Sequence, residues 1–117
     1  MPNVKTRLLL VEDDAAIRFA IRDFLEVHDF ELIEAPTCAD AESAFIEYRP
    51  DLVLSDYMLG DGNALELLPR LRSINAHVPV VILTGHGTVE LAVQAMKQGA
   101  DDFLTKECEN DELFARV

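Results

Sequence analysis

The 117-residue sequence has little positive charge, few cysteines and no long apolar run. It carries 10 Lys and Arg against 22 Asp and Glu, a net charge of −12, and so lacks the cationic surface that binds nucleic-acid phosphates. Its apolar runs fall short of the ~20 residues that cross a bilayer, and its first residues lack the apolar core of a signal peptide. These absences exclude direct nucleic-acid contact and membrane insertion, and they favour a cytoplasmic protein that binds cations or basic partners.

The two cysteines, Cys38 and Cys108, lie far apart and form no CxxC pair. This number and spacing give neither a disulfide framework nor a zinc site, so we expect two reduced thiols. The sequence also has no Walker lysine motif, no GxSxG and no HExxH. The common signatures of nucleotide hydrolysis, serine hydrolysis and zinc proteolysis are therefore missing.

Half of the residues are hydrophobic, and they follow two alternating patterns. Short apolar runs typical of buried strands alternate with segments whose apolar residues recur every three to four positions, as in amphipathic helices. The predicted strands are 7–11, 30–35, 51–55, 78–84 and 102–105. A helical stripe follows each strand, beginning near Ile17, Ala41, Ala64, Val89 and Leu113.

Regular alternation of strand and helix predicts one α/β domain, covering residues 1–117, with a parallel sheet and helices on both faces. We expect the most apolar strands, 1, 3 and 4, at the centre of the sheet and strands 2 and 5 towards its edges. Asp14, Thr37 and Asn110 are predicted helix N-caps, and Gly99 a C-cap. The fifth helix has about two turns before Val117, which is short for a stable helix. We therefore expect this domain to be the N-terminal part of a longer protein.

Reactive side chains follow four of the five predicted strands. Strand 1 is followed by Glu12 and Asp13, strand 3 by Asp56, strand 4 ends at Thr84, and strand 5 is followed by Lys106. In an open parallel sheet, ligands bind outside the carboxyl ends of the strands, so neighbouring strands would bring these groups into one pocket. Three carboxylates repel one another there, and a hard cation such as Mg²⁺ would offset their charge.

Asp56 ends the apolar run LVLSD (52–56), where a buried strand should stop. A carboxylate beside a cation and Lys106 is a poor base. It suits attack on phosphorus, because the two positive charges offset the charge of the phosphoryl oxygens. The hydroxyl of Thr84 can donate a hydrogen bond to one of those oxygens. The residues therefore indicate a site for phosphoryl transfer to Asp56.

Four separated motifs resemble the receiver domain of bacterial two-component response regulators. They are VEDD (11–14), LSD (54–56), LTG (83–85) and FLTK (103–106), and the match runs from about residue 6 to the end of the chain. The resemblance implies a flavodoxin-like, CheY-like (βα)5 fold with strand order 2-1-3-4-5. The segment GHGTVELAVQAMKQGADDFLTK (85–106) further resembles regulators of the nitrogen-regulation class, whose outputs are often ATPases that act on RNA polymerase.

The resemblance also implies a role for each of the groups that follow the strands. Asp56 is the phosphoacceptor, and Thr84 and Lys106 assist the transfer. The implied Mg²⁺ ligands are Asp13 directly, Glu12 through water, Asp56, and the backbone carbonyl of Met58.

The resemblance implies that Thr84 and Phe103 form a switch pair. On phosphorylation, Thr84 moves to the phosphoryl group and the ring of Phe103 turns inward, which changes the surface made by helix 4, strand 5 and helix 5. The implied partners are a histidine kinase or phosphotransfer protein, an output domain that controls transcription, and a second phosphorylated copy in a homodimer.

The sequence departs from the family pattern at three positions. Glu107 follows Lys106 where the family usually has Pro, often after a cis peptide bond. Because a cis bond before a residue other than Pro costs ~3–4 kcal/mol, the Lys106–Glu107 bond is either trans or strained. Gly60 occupies a position where Pro is common, and Ala64 one where Gly is common. None of these departures removes a reactive group.

Two other functions are compatible with the same residues. A Mg²⁺-dependent aspartyl phosphohydrolase would use the same nucleophile, but such enzymes normally need an acid two residues beyond it, where this chain has Met58. A phosphorylation-independent protein-interaction module would bind its partner equally well with and without a phosphoryl group. We favour the phosphoacceptor, a signalling domain that catalyses only its own phosphorylation and slow dephosphorylation.

Overall fold

The computed structural model of the protein describes residues 6–84 and 89–105. Within these ranges, five main strands alternate with four helices. The strands are β1 (Thr6–Val11), β2 (Phe30–Ala35), β3 (Leu52–Asp56), β4 (Val80–Thr84) and β5 (Asp102–Thr105). The helices are α1 (Ala15–Val27), α2 (Cys38–Tyr48), α3 (Ala64–Ile74) and α4 (Val89–Lys97). The predicted fifth helix and its cap, Asn110, lie outside the described residues.

The five strands form one parallel sheet in the order β2-β1-β3-β4-β5. All five residues of the central strand β3 are buried, whereas three of the six residues of the edge strand β2 are half-buried. A central strand covered by helices on both faces needs apolar residues on both sides, which explains its continuous apolar sequence. The predicted flavodoxin-like α/β fold and its strand order are confirmed.

The core consists of two apolar clusters, one on each face of the sheet. Successive residues of a strand point to opposite faces. Leu9 and Val53 therefore join one cluster together with residues of α2, α3 and α4, while Leu8 and Leu54 join the other together with Leu25 of α1. Burial of each such side chain contributes about 1.5–3 kcal/mol, and this packing fixes the carboxyl ends of β1, β3 and β4 relative to one another.

Polar side chains cap the first three helices, and a glycine follows the fourth. Asp14, Thr37 and Asn63 each accept a hydrogen bond from the first turn of α1, α2 and α3, respectively. These N–H groups have no partner within the helix, so the caps stabilise the helix starts. Gly99, after α4, has a φ of 102°, which favours glycine. The predictions for Asp14, Thr37 and Gly99 are confirmed, and the Asn63 cap was not predicted.

The segment between β3 and α3 forms a short β-hairpin that the sequence pattern did not predict. Met58–Leu59 pairs antiparallel with Gly62–Asn63, so that Gly60 and Asp61 form the turn. The backbone N–H of Ala64 donates to the carbonyl of Tyr57 at 2.8 Å and closes the base. We call residues 57–64 the 57–64 hairpin.

Gly60, at the tip of this hairpin, is a position where alanine should stabilise the fold. Its φ is not positive, and no described atom lies within 4 Å of a Cβ built there. We expect Gly60→Ala to raise the free energy of unfolding by ~0.4–1 kcal/mol, because alanine restricts the unfolded chain. Urea denaturation measures this change. Gly99→Ala is the matched control and should destabilise the protein. A Gly60→Ala variant less stable than wild type would contradict the prediction.

Among the described residues, no helix is both long enough and apolar enough to span a membrane.

Candidate functional site

Three carboxylates meet at the carboxyl edge of the sheet. Glu12 and Asp13 follow β1, and Asp56 is the last residue of β3, the neighbouring strand. The parallel register places Val11 opposite Ser55, so the residues that follow these two lie side by side. One oxygen from each of the three carboxylates lies within 4.8 Å of the others. The structure thus brings together three of the residues that the sequence predicted for one pocket.

The three carboxylates differ in their exposure to solvent. Glu12 is 1% exposed and Asp56 is 8% exposed, whereas Asp13 is open to solvent. Burying a carboxylate is unfavourable unless hydrogen bonds, an opposite charge or a metal compensate it. Two buried acids beside a third therefore form a local concentration of negative charge that favours a cation.

Backbone contacts hold Glu12 in place. Its N–H donates to the carbonyl of Ala35 on β2 at 3.1 Å. Its own carbonyl accepts a hydrogen bond from Nη1 of Arg18 at 2.8 Å, and its Oε2 accepts one from the N–H of Asp14 at 3.3 Å. Residues of β2 and α1 thus orient the turn that presents the first two acids.

Asp56 is held at the junction of β3, β4 and the 57–64 hairpin. Its Oδ1 accepts a hydrogen bond from the N–H of Tyr57 at 2.8 Å. The same N–H donates to the carbonyl of Leu83 on β4 at 3.1 Å, and the hydroxyl of Ser55 donates to the carbonyl of Asp56 at 2.9 Å. These contacts orient the carboxylate at the end of a strand whose five residues are all buried.

The donor set fits Mg²⁺. This ion takes oxygen ligands in octahedral geometry at 2.0–2.1 Å and retains several waters, so ligands on opposite sides of it are about 4.2 Å apart. The three carboxylate oxygens lie within 4.8 Å of one another, which is close to that span. Asp13, Asp56 and Glu12 provide carboxylate oxygens of the kind that such an ion uses; that Glu12 binds through water stays a prediction.

The other predicted site residues lie on the adjacent strands or outside the described ranges. Thr84 is the last residue of β4, and Phe103 lies on β5, where it is half-buried and paired in register with Ile82. Lys106 and the peptide bond that follows it lie outside the described residues. Met58 is the second residue of the 57–64 hairpin, directly after the site, and is 63% exposed.

Asp61 is a residue near the site whose contacts the sequence analysis missed. Its Oδ1 accepts a hydrogen bond from the N–H of Cys38 at 2.7 Å, and its Oδ2 accepts one from the N–H of Ala39 at 3.1 Å. These bonds hold the pKa of Asp61 below its usual value, so the carboxylate is charged at neutral pH. An aspartate between two glycines is a turn signal, but nothing local to residue 61 indicates a partner 23 residues away.

Cys38, at the start of α2, is a buried free thiol. Burial, and after it the charge of Asp61, raise the pKa of this thiol to about 11. Its Sγ lies 3.9 Å from the carbonyl oxygen of Asn63, to which it donates a weak hydrogen bond. Because the thiolate is the reactive form, Cys38 is a packing residue rather than a nucleophile at neutral pH.

The fold, the acidic pocket and the motifs together define a domain of the receiver type, and comparison with known proteins identifies the family. The chain belongs to the response regulator receiver domain family, whose sequence model matches residues 8–117. The predicted family is therefore confirmed.

The chain is similar to parts of two transcriptional regulatory proteins and to a solved receiver domain. It is 38% identical over 113 residues to the phosphate regulon transcriptional regulatory protein PhoB of Escherichia coli (95% of this chain, 49% of PhoB). It is 36% identical over 115 residues to the C4-dicarboxylate transport transcriptional regulatory protein DctD of Pseudomonas aeruginosa (98% of this chain, 25% of DctD). The BeF3-activated N-terminal receiver domain of Klebsiella pneumoniae RstA superposes with a TM-score of 0.89 at 30% identity (94% of this chain, 93% of that one). The chain thus spans about half of PhoB and a quarter of DctD.

Proposed function

We propose that this chain accepts a phosphoryl group on Asp56 from a phosphohistidine of a histidine kinase or phosphotransfer protein. The observation that carries the proposal is the position of Asp56: it is buried at the end of the central strand, with its carboxylate within 4.8 Å of those of Glu12 and Asp13. Placing a carboxylate there is unfavourable, because the three negative charges repel one another. A cation-dependent reaction at Asp56 explains why a carboxylate nevertheless occupies this position.

The transfer exchanges one bond to phosphorus for another. An oxygen of the Asp56 carboxylate attacks the phosphorus, the P–N bond of the donor breaks, and its electron pair returns to the imidazole ring. The N–H of Tyr57 keeps the carboxylate oriented during the attack. Asp13, Asp56, the carbonyl of Met58 and, through water, Glu12 would hold Mg²⁺, whose positive charge would offset the charge of the phosphoryl oxygens. Lys106 adds a second positive charge, and the Thr84 hydroxyl donates to a phosphoryl oxygen.

The adjacent strands β4 and β5 support the proposed switch between Thr84 and Phe103. The two residues lie on directly paired strands, and Phe103 is half-buried, so its ring lies at the boundary between core and solvent. We propose that movement of Thr84 towards the phosphoryl group draws this ring inward and changes the surface of α4, β5 and the fifth helix.

We further propose that this surface controls an output domain in a longer cytoplasmic protein. The support is that PhoB and DctD, both transcriptional regulatory proteins by name, extend well beyond the part that matches this chain. Transcription is therefore the proposed output, with a phosphorylation-dependent homodimer as its proposed assembly. The domain catalyses only its own phosphorylation and its slow dephosphorylation.

Acetyl phosphate provides a direct test of this function. Incubation of the protein with acetyl phosphate and MgCl₂ should raise its intact mass by one phosphoryl group, because the carboxylate reacts with small phosphodonors as well as with phosphohistidine. EDTA should prevent the change, and hydroxylamine, which cleaves acyl phosphates, should reverse it. Labelling that persists in EDTA, or that resists hydroxylamine, would contradict the proposal. Turnover of a phosphomonoester above about 1 s⁻¹, the low end of enzyme rates, would instead favour the phosphohydrolase.

A further inference from the structure

We propose that Asp61 is a positioning residue of the metal site, which acts by fastening the 57–64 hairpin to the N-terminus of α2. The two hydrogen bonds from the N–H groups of Cys38 and Ala39 to Asp61 are called the Asp61 bridge here. The inference rests on the proposed function, because it concerns the segment whose Met58 carbonyl is the proposed fourth ligand.

The 57–64 hairpin is held at two places. At its base, the N–H of Tyr57 donates to the carbonyl of Leu83 on β4, and the N–H of Ala64 donates to the carbonyl of Tyr57. At its tip, the Asp61 bridge connects it to α2. Met58 lies between the base and the tip, so both attachments restrict the position of its carbonyl.

The hairpin and the first turn of α2 are in close contact. Cys38 is buried, and a Cβ atom at Gly62 would lie 3.4 Å from its Sγ. Leu59 is 5% exposed and belongs to the core cluster that includes Cys38. The Asp61 bridge therefore spans an interface that is already packed, and it determines the height of the hairpin tip against the helix.

The bridge matters because the tip of the hairpin has few restraints of its own. Each of its strands has two residues, and isolated hairpins of this kind are marginal in water. Gly60 and Gly62 flank Asp61, and glycine loses more conformational freedom on ordering than any other residue. Ligands of a metal site must be held within roughly 0.5 Å of their working positions, which this segment alone cannot ensure.

The bridge also uses donors that helix geometry leaves available. The N–H groups of Cys38 and Ala39 belong to the first turn of α2, and neither has an acceptor within the helix. The hydroxyl oxygen of Thr37 accepts a hydrogen bond from the next N–H group of the helix, that of Asp40, at 3.0 Å. Asp61 thus completes the cap of α2 from a distant part of the chain, and its negative charge is favourable at the positive end of the helix dipole.

The test compares Mg²⁺ binding by Asp61 variants with that by matched controls. We expect Asp61→Ala to weaken Mg²⁺ binding several-fold, by less than the roughly tenfold or larger effect of losing a group that is hydrogen-bonded directly to a ligand. Asp61→Asn keeps one of the two acceptor oxygens and should fall between Asp61→Ala and wild type. Calorimetric titration at roughly 0.5 M KCl, where exposed charges are screened, measures the affinity and removes most of the long-range effect of the lost charge.

Thr37→Ala and Asp40→Asn are the controls. Thr37→Ala removes a cap from the same turn of α2 but leaves the Asp61 bridge intact, so it should lower the melting temperature and leave Mg²⁺ affinity unchanged. Asp40→Asn removes an exposed negative charge from that turn and should also leave Mg²⁺ affinity unchanged.

Amide hydrogen exchange of the Mg²⁺-free protein gives a second readout. In Asp61→Ala, the N–H of Ala64, which closes the base of the hairpin, should exchange faster than in Thr37→Ala. Equal losses of Mg²⁺ affinity in Asp61→Ala and Thr37→Ala would show general destabilisation and overturn the inference. If Asp61→Ala binds Mg²⁺ as tightly as the wild type does, this inference is wrong, but the proposed function is not affected. Absence of Mg²⁺ binding by the wild type would overturn the proposed function and this inference with it.

Discussion

Asp56→Asn should abolish phosphoryl incorporation from acetyl phosphate while leaving the fold intact. The amide has nearly the shape of the carboxylate, and its oxygen can still accept the hydrogen bond from Tyr57. It lacks the charged oxygen that attacks phosphorus, so we expect the rate to fall at least roughly 10³-fold, the scale on which loss of a nucleophile acts. Intact-mass spectrometry measures incorporation, and circular dichroism reports the fold.

Asp51→Asn is the matched control for this experiment. Asp51 lies just before β3, at the opposite end of the strand from Asp56, and its Oδ2 accepts a hydrogen bond from the N–H of Arg7. It should incorporate phosphate as the wild type does. If instead Asp56→Asn is labelled at the wild-type rate, the phosphoacceptor is a different residue.

Asp13→Asn should reverse the order of stability between variant and wild type as Mg²⁺ is added. Without metal, the variant removes one of three mutually repelling charges that lie within 4.8 Å of one another. Because residue 13 is exposed, the side-chain amide of the asparagine in the variant remains hydrated. The variant should then be more stable by about 1 kcal/mol, the Coulomb repulsion of one such pair in water. The melting temperature in EDTA should rise by roughly 4 °C.

With Mg²⁺ in excess, the wild type should become the more stable of the two. Ligand present at 100 times its dissociation constant stabilises a protein by about 2.7 kcal/mol. Asp13→Asn loses the ligand predicted to contact the ion directly, so it should gain little of this stabilisation. Thermal melts in EDTA and in MgCl₂ measure both effects. Asp23→Asn, which removes an exposed acid on α1, should melt at nearly the same temperature as the wild type both in EDTA and in MgCl₂. An Asp13→Asn variant that gains as much stability from Mg²⁺ as the wild type does would show that residue 13 is not a metal ligand.

The opposite effects expected for Asp13→Asn follow from the position of three carboxylates beside one another, which repel in the absence of a cation and together attract one. Acids gathered at the edge of a sheet lower the stability of the metal-free fold, and the two apolar clusters around β1 and β3 offset this loss. The rigid edge that these clusters provide keeps Glu12, Asp13 and Asp56 close despite their repulsion.

Much of the architecture could be read from the order of residues along the chain. Alternating apolar runs and helical stripes predicted the five strands of the sheet, and the apolar character of strands 1, 3 and 4 predicted which lie at its centre. The convergence of Glu12, Asp13 and Asp56 followed from a general property of parallel sheets, namely that the carboxyl ends of neighbouring strands share one edge. Such inferences succeed because they depend on short-range periodicity and on topology rather than on the positions of individual atoms.

Other features were decided by packing in three dimensions. The 57–64 hairpin formed where the pattern showed only a connection, since two-residue strands are too short for a periodic signal. Glu12 is buried and Asp13, its neighbour in the chain, is exposed, a difference that no pattern in the sequence indicated. The contact of Asp61 with α2 joins residues 23 positions apart. Residue order along the chain specifies which elements form, but which distant N–H group meets which carboxylate depends on how the completed elements pack together.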